Sequence, residues 1–87
     1  MEIEFDDVKD AGNVAKHGVS LVIGAAVLAN TVGEVVDGRR DYGERRMNAF
    51  GLVKGRLFAC TYTIRDDVCR IISVRRASKQ EQRIWHL

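Results

Sequence analysis

The sequence predicts an α+β fold: an antiparallel twisted sheet packed on two N-terminal helices and closed by a short C-terminal helix. Three observations lead there. Residues 46–76 alternate with period two and are interrupted only at Lys54-Gly55 and Asp66-Asp67, the pattern of a three-stranded meander. Residues 6–29 instead carry helix caps and helical spacing. Ser78, with Glu81 three residues on, forms a capping box ahead of a last helical segment.

In chain order, residues 2–5 alternate polar and apolar side chains and read as a first strand. Asp6 or Asp7 caps a helix that Gly18 ends in the left-handed region. Within it Val8, Ala11 and Ala15 share the stripe expected to be buried, while Lys9, Asn13, Lys16 and His17 gather on another face. Ser20 caps a second helix, residues 21–29, apolar on nearly all sides; one side is expected on the sheet and the other on the first helix or a partner. Residues 32–36 read as a strand and 37–43 as a solvated loop. Strands over 46–53, 56–65 and 68–76 follow, and a helix within 78–87 is expected to cover the apolar end of the sheet.

The tight turns make the register computable. If 53 pairs with 56 and 65 with 68, the period-two rule puts Met47, Ala49, Phe58, Cys60, Tyr62, Ile71 and Ser73 on the helix-covered face, with Arg75 at its end. The opposite face then carries Arg46, Thr63 and Arg70 in one row with Arg65 beside it, and an apolar floor of Phe50, Leu52, Leu57 and Val74. Like charges side by side on strands are unfavourable unless an anion sits between them, so this row predicts a cationic groove.

Composition narrows the function classes. Eighty-seven residues, 46% of them hydrophobic, are expected to form one domain spanning 1–87. The apolar run at 21–29 is too short to cross a bilayer, and no charged leader with a cleavage site precedes it, so no membrane association and a cytoplasmic location are expected. Cys60 and Cys69 fall out of register in neighbouring strands, which argues against a disulfide. With His17 and His86 the only histidines and no Cys-x-x-Cys pair, there is no zinc ligand set, and no cofactor is expected. Charge is the informative quantity. The net +2 conceals nine acidic against four basic residues in 1–44 and ten basic against three acidic in 45–87. A basic surface built on strands selects polyanions.

The residues Phe5-Asp6, Lys9, Asn13 and Lys16-His17-Gly18-Val19-Ser20 stand near the start of the chain. They are followed by Gly43-Glu44-x-Arg46, Gly55-Arg56, Tyr62-Thr63-x-Arg65 and Arg70-Ile71-Ile72-Ser73-Val74-Arg75-Arg76-Ala77. In this order the motifs resemble the BrnT family of bacterial toxins over almost the whole chain. The resemblance implies a RelE-like fold and the toxin half of a type II toxin-antitoxin pair, a ribonuclease that blocks translation. It also implies a BrnA-like antitoxin as partner in a hetero-oligomer, with operator DNA bound only through that complex. Phe5 stands where BrnT-like chains usually have Trp, Asp7 where they often have Pro, and Val22 and Ile23 where acidic residues are usual.

RNA cleavage without a metal needs a base for the 2′-hydroxyl, cations for the developing phosphorane charge and an acid for the leaving 5′-oxygen. Arg46, Arg65 and Arg70 are the groove candidates for the cations, and the resemblance adds Arg75 at the end of the last strand. His17 is a candidate base or acid because its ordinary pKa lies near neutrality; a His at a helix C-terminus is also favoured there by the dipole alone. Lys16, Thr63, Arg76 and Lys79 are the candidate RNA-binding residues. A non-catalytic RNA-binding or partner-binding module is the rival reading.

Overall fold

The computed structural model describes residues 1–39 and 41–85. Its elements are β1 (Glu2–Glu4), α1 (Asp7–His17), α2 (Ile23–Ala29), β2 (Thr31–Val36), β3 (Met47–Val53), β4 (Arg56–Arg65), β5 (Val68–Arg76) and α3 (Lys79–Ile84). The strands form one sheet in the order β1-β5-β4-β3-β2. β1 lies parallel to β5 and the remaining pairs are antiparallel, so the sheet is mixed rather than wholly antiparallel as expected. Crossing over through α1, α2 and the meander leaves β1 free to join the far edge in the parallel sense.

Local chemistry sets the turns and caps. Lys54 and Gly55 both take positive φ, as do Asp66 and Asp67, so each two-residue turn has the twist that a right-handed hairpin needs. Val53 then pairs with Arg56 and Arg65 with Val68. Asp6 caps α1 by accepting from the Lys9 N–H, and Gly18 closes it at φ 72°. Ser78 and Glu81 make both bonds of the capping box on α3. Among the described residues of the expected 78–87 helix, 79–84 are helical, with Ser78 and Trp85 as the caps; His86 and Leu87, and Arg40 in the 37–43 loop, lie outside the described residues.

The sheet is covered on both faces. On one, Leu21, Val27, Phe58, Cys60, Ile71 and Val74 are buried under α1 and α2, each large apolar side chain worth about 1.5–3 kcal/mol. On the other, Phe50, Leu57, Ala59 and Ala77 pack beneath Trp85, whose ring centre lies 5.4 Å from that of Phe50. Leu57 to Cys60 are therefore buried consecutively. Cys60 and Cys69 are free and buried, opposite Val74 and Ile64 respectively, and burial pushes the Cys60 thiol up to about 12. No helix among the described residues is long and apolar enough to cross a membrane.

Three expectations about faces are corrected. α1 turns Asn13 rather than its apolar stripe inward: Val8, Ala11 and Ala15 are exposed, as are Lys9 and Lys16, whereas Asn13 is buried. β5 pairs with β1 only as far as Arg70, so its outer edge beyond that point needs another partner. Asn13 supplies it, donating from Nδ2 to the Val74 carbonyl (2.8 Å) and accepting the Val74 N–H at Oδ1 (3.3 Å), as a neighbouring peptide would. Its Nδ2 also reaches the Val19 carbonyl at 2.7 Å. α2 starts at Ile23 rather than at 21, with Val22 and not Ser20 as its N-cap, and α1 does not cover its outer side, where Val22 is 56% exposed and open to a partner. The 37–43 loop is not wholly solvated, because Asp37 is buried.

Candidate functional site

A bulge in β5 shapes the site. Tyr62 pairs with Ile71, but Thr61 pairs with Ser73, so Ile72 is an extra residue and every side chain after it changes face. Val74 enters the helix-side core, and Ser73 and Arg75 move to the opposite face beside Asn48 and Thr61; this reverses the faces expected for all three residues from strict alternation. The signal was in the sequence: the apolar residues of β5 are Val68, Cys69, Ile71, Ile72 and Val74, and a strict period of two from Cys69 and Ile71 would have buried Ser73 and exposed Val74.

The bulge opens a cleft of about 470 Å³. Lys16 and His17 reach it from the last turn of α1, Arg39 from the loop after β2, Arg46 from the residue before β3, and Ser73 and Arg75 from β5. Glu81 of α3 closes one side. These residues come from five segments of the chain, and the Asn13 bonds fix the helix end relative to the bulge.

Each guanidinium in the cleft is held by a carboxylate. Arg75 makes a bidentate pair with Glu81, at 2.7 and 2.9 Å. That pair drives the Glu81 carboxyl down to about 2 and raises Arg75 above the ordinary arginine value. Arg39 makes the same arrangement with Asp37, at 2.9 and 2.8 Å, and its hydrogen bonds hold the buried carboxyl near 2. Arg46 donates to Glu44 at 3.2 Å and lies 4.0 Å from the centre of the Tyr42 ring. Lys16 and His17 form no ion pair among the described residues. Partial burial lowers the His17 pKa, and the charges of Lys16 and Arg75 lower it further, all three favouring the neutral imidazole. The Thr61 hydroxyl donates to Asn48 Oδ1 at 2.6 Å, orienting that amide at the cleft floor.

Lys16, His17, Arg46 and Arg75 are thus brought together, and the other candidates are not. Arg65 lies on the rim side, paired with Glu44 at 2.9 and 2.7 Å, so one carboxylate links it to Arg46. Arg70 pairs with Glu4 of β1 at 3.1 Å. The anions expected between these cations are supplied by the chain itself, which corrects the single open groove. Thr63 pairs with Arg70 as expected, but it is buried and its hydroxyl donates to the Arg45 carbonyl at 2.8 Å, leaving it no free face for RNA. Arg76 lies on the helix side of the sheet and Lys79 is exposed in the first turn of α3.

Arg39, Asn48, Ser73 and Glu81 escaped the sequence reading. Glu81 was visible only as a capping residue, and Arg39 sits in a loop without periodicity. Among the described residues no group of three or more His, Cys, Asp or Glu side chains could hold a metal ion. The cleft offers an imidazole beside an ammonium and three oriented guanidiniums, an arrangement able to grip a phosphodiester and stabilise added negative charge on it.

A family model described as a ribonuclease toxin, BrnT, of type II toxin-antitoxin system matches residues 5–81. No curated protein matches the chain.

Proposed function

The chain belongs to the BrnT family of ribonuclease toxins of type II toxin-antitoxin systems, and from that premise we propose that the cleft between α1, β5 and α3 is where it cuts RNA, without a metal. The observation that carries this reading is the convergence of Lys16, His17, Arg39, Arg46 and Arg75 on one cleft.

Neutral His17 takes the 2′-hydroxyl proton as the 2′-oxygen attacks phosphorus. Arg75 and Arg46, with Arg39 beside them, hold the non-bridging oxygens as a fifth P–O bond forms. The P–O5′ bond then breaks and Lys16 or water protonates the leaving oxygen, giving a 2′,3′-cyclic phosphate and a 5′-hydroxyl end. Carboxylates that hold the arginines in place remove the need to order three long side chains during reaction. Arg65, Arg70, Arg76 and Lys79 stand outside the cleft, where they meet flanking phosphates. A type II toxin acts opposite an antitoxin protein. We assign that role to a BrnA-like partner, which masks this basic surface, lends the complex its operator-DNA binding and blocks translation arrest. A RelE-like arrangement is the fold relation that fits the two helices laid on this sheet.

Purified protein freed of antitoxin, incubated with single-stranded RNA in EDTA, should generate 2′,3′-cyclic phosphate ends. His17→Ala and Arg75→Ala should each lower the rate, by about 10² for a well-placed charge donor. Cleavage that requires added Mg²⁺, or that both variants leave intact, refutes the assignment; binding without cleavage would instead favour the non-catalytic module.

A further inference from the structure

Around the end of α1, opposite the cleft, lies a second recess of about 610 Å³. Gly18, Val19 and Ile23 line one wall and Val53 and Phe58 the other, with Lys54, Arg56 and Arg76 on its rim. The three rim cations form no ion pair among the described residues, and no acidic residue lines the recess. That contrasts with the cleft, where every arginine has a carboxylate. An apolar recess rimmed by uncompensated cations fits an amphipathic anion, with one flat apolar part and one phosphate.

The recess is contiguous with the cleft through the backbone. Lys16 and His17 line the cleft, and the next two residues, Gly18 and Val19, line the recess. On β5 the adjacent Arg75 and Arg76 point to opposite faces of the sheet, Arg75 into the cleft and Arg76 into the recess, so the two sites meet where α1 ends. A chain of phosphates gripped in the cleft can therefore continue over the α1 terminus. We propose that this recess is a nucleotide subsite, in which a base unstacked from the RNA lies against Ile23 and Val53 while an adjoining phosphate meets Arg56 and Arg76. The proposal rests on RNA binding in the cleft. A partner protein presenting an acidic and apolar segment is the competing occupant, and the continuity with the cleft favours RNA.

The test uses single-stranded RNAs of two to six nucleotides with 2′-O-methyl groups to prevent cleavage, bound to the purified protein. Lys54→Asn/Arg56→Gln removes two rim charges, and Asn suits the positive φ at position 54. This variant should bind the dinucleotide like the parent protein but lose about tenfold or more in affinity for the hexanucleotide, with a salt slope shallower by about 1.4. Replacing one base of the hexanucleotide by an abasic site should cost the parent about 5-fold in affinity, the low end for a stacked base because Ile23 and Val53 offer no aromatic face, and cost the variant less. Equal hexanucleotide affinity for parent and variant overturns the subsite, as does a loss confined to antitoxin binding. An abasic site without effect overturns the base contact. Failure of the dinucleotide to bind the parent at all would count against the cleft reading instead.

Discussion

Replacing Asn13 by Ala should destabilise the protein by about 2–4 kcal/mol, because one side chain completes both the edge of β5 and the turn after α1. Truncation strands three backbone groups: the Val74 carbonyl and N–H, bonded at 2.8 and 3.3 Å, and the Val19 carbonyl, bonded at 2.7 Å. A buried donor or acceptor left without a partner costs about 1–3 kcal/mol. Water can reach the half-buried Val19 but not Val74, which is fully buried, so the sum falls below three full penalties. For a domain of this size, about 2–4 kcal/mol is a large part of a total stability of roughly 4–13 kcal/mol. Asn13→Asp should cost more than Ala, since a carboxylate cannot donate to either carbonyl and would face both. Urea unfolding followed by circular dichroism would read the midpoint shift at unchanged slope. Val14→Ala, at a half-exposed neighbour on the same helix, is the control and should move stability by about 0.5 kcal/mol or less. An Asn13→Ala loss as small as the control's would refute the idea that this amide acts as the missing strand partner.

Gly51→Ala should be strongly destabilising, by about 1–3 kcal/mol or more, because the new methyl would collide with the Val27 backbone carbonyl at the end of α2; a calorimetric Tm near that of the parent would contradict this. Glu81, held near 2 by Arg75, stabilises the fold at every pH above its unfolded value and loses that contribution as pH falls from about 4.5 to about 2. The Glu81→Gln protein should therefore show a flatter acid limb of stability against pH, and identical limbs would sink the coupling. The His17 imidazole, lowered by burial and by Lys16 and Arg75, should titrate below the usual histidine value in nuclear magnetic resonance spectra. Arg75→Ala should raise its midpoint and a bound non-cleavable RNA should raise it further, whereas a midpoint indifferent to both would separate His17 from the reacting phosphate.

The α1 helix shows most directly where the reading of residues stopped. Its start at Asp6 and its end at Gly18 are local: a side chain bonds an N–H three residues on, and a glycine takes φ 72°. Its orientation is not local, since Val74, 61 residues away, decides that an amide rather than Val8 and Ala15 faces the sheet. The cleft follows the same division. Arginine types and their family motif were legible, but Glu4, Glu44 and Glu81 select which of them remain together, and the pairs that draw Arg65 and Arg70 out of the cleft, with Glu44 and Glu4, are set by chain crossings rather than spacing.

By itself the sequence determined the α+β class, the two hairpin turns, the caps of α1 and α3, the register at each turn and membership of the BrnT family, because caps, turns and motifs are short-range and each is written in a few adjacent residues. Only the tertiary structure decided the parallel docking of β1, the bulge at Ile72, the inward face of α1 and hence the composition of the cleft. The physical reason is competition for burial. At Ser73 and Val74 strict alternation would bury a hydroxyl and expose a valine, and the chain inserts one unpaired residue so that Val74 fills the core, which turns Arg75 toward Lys16, His17 and Arg46.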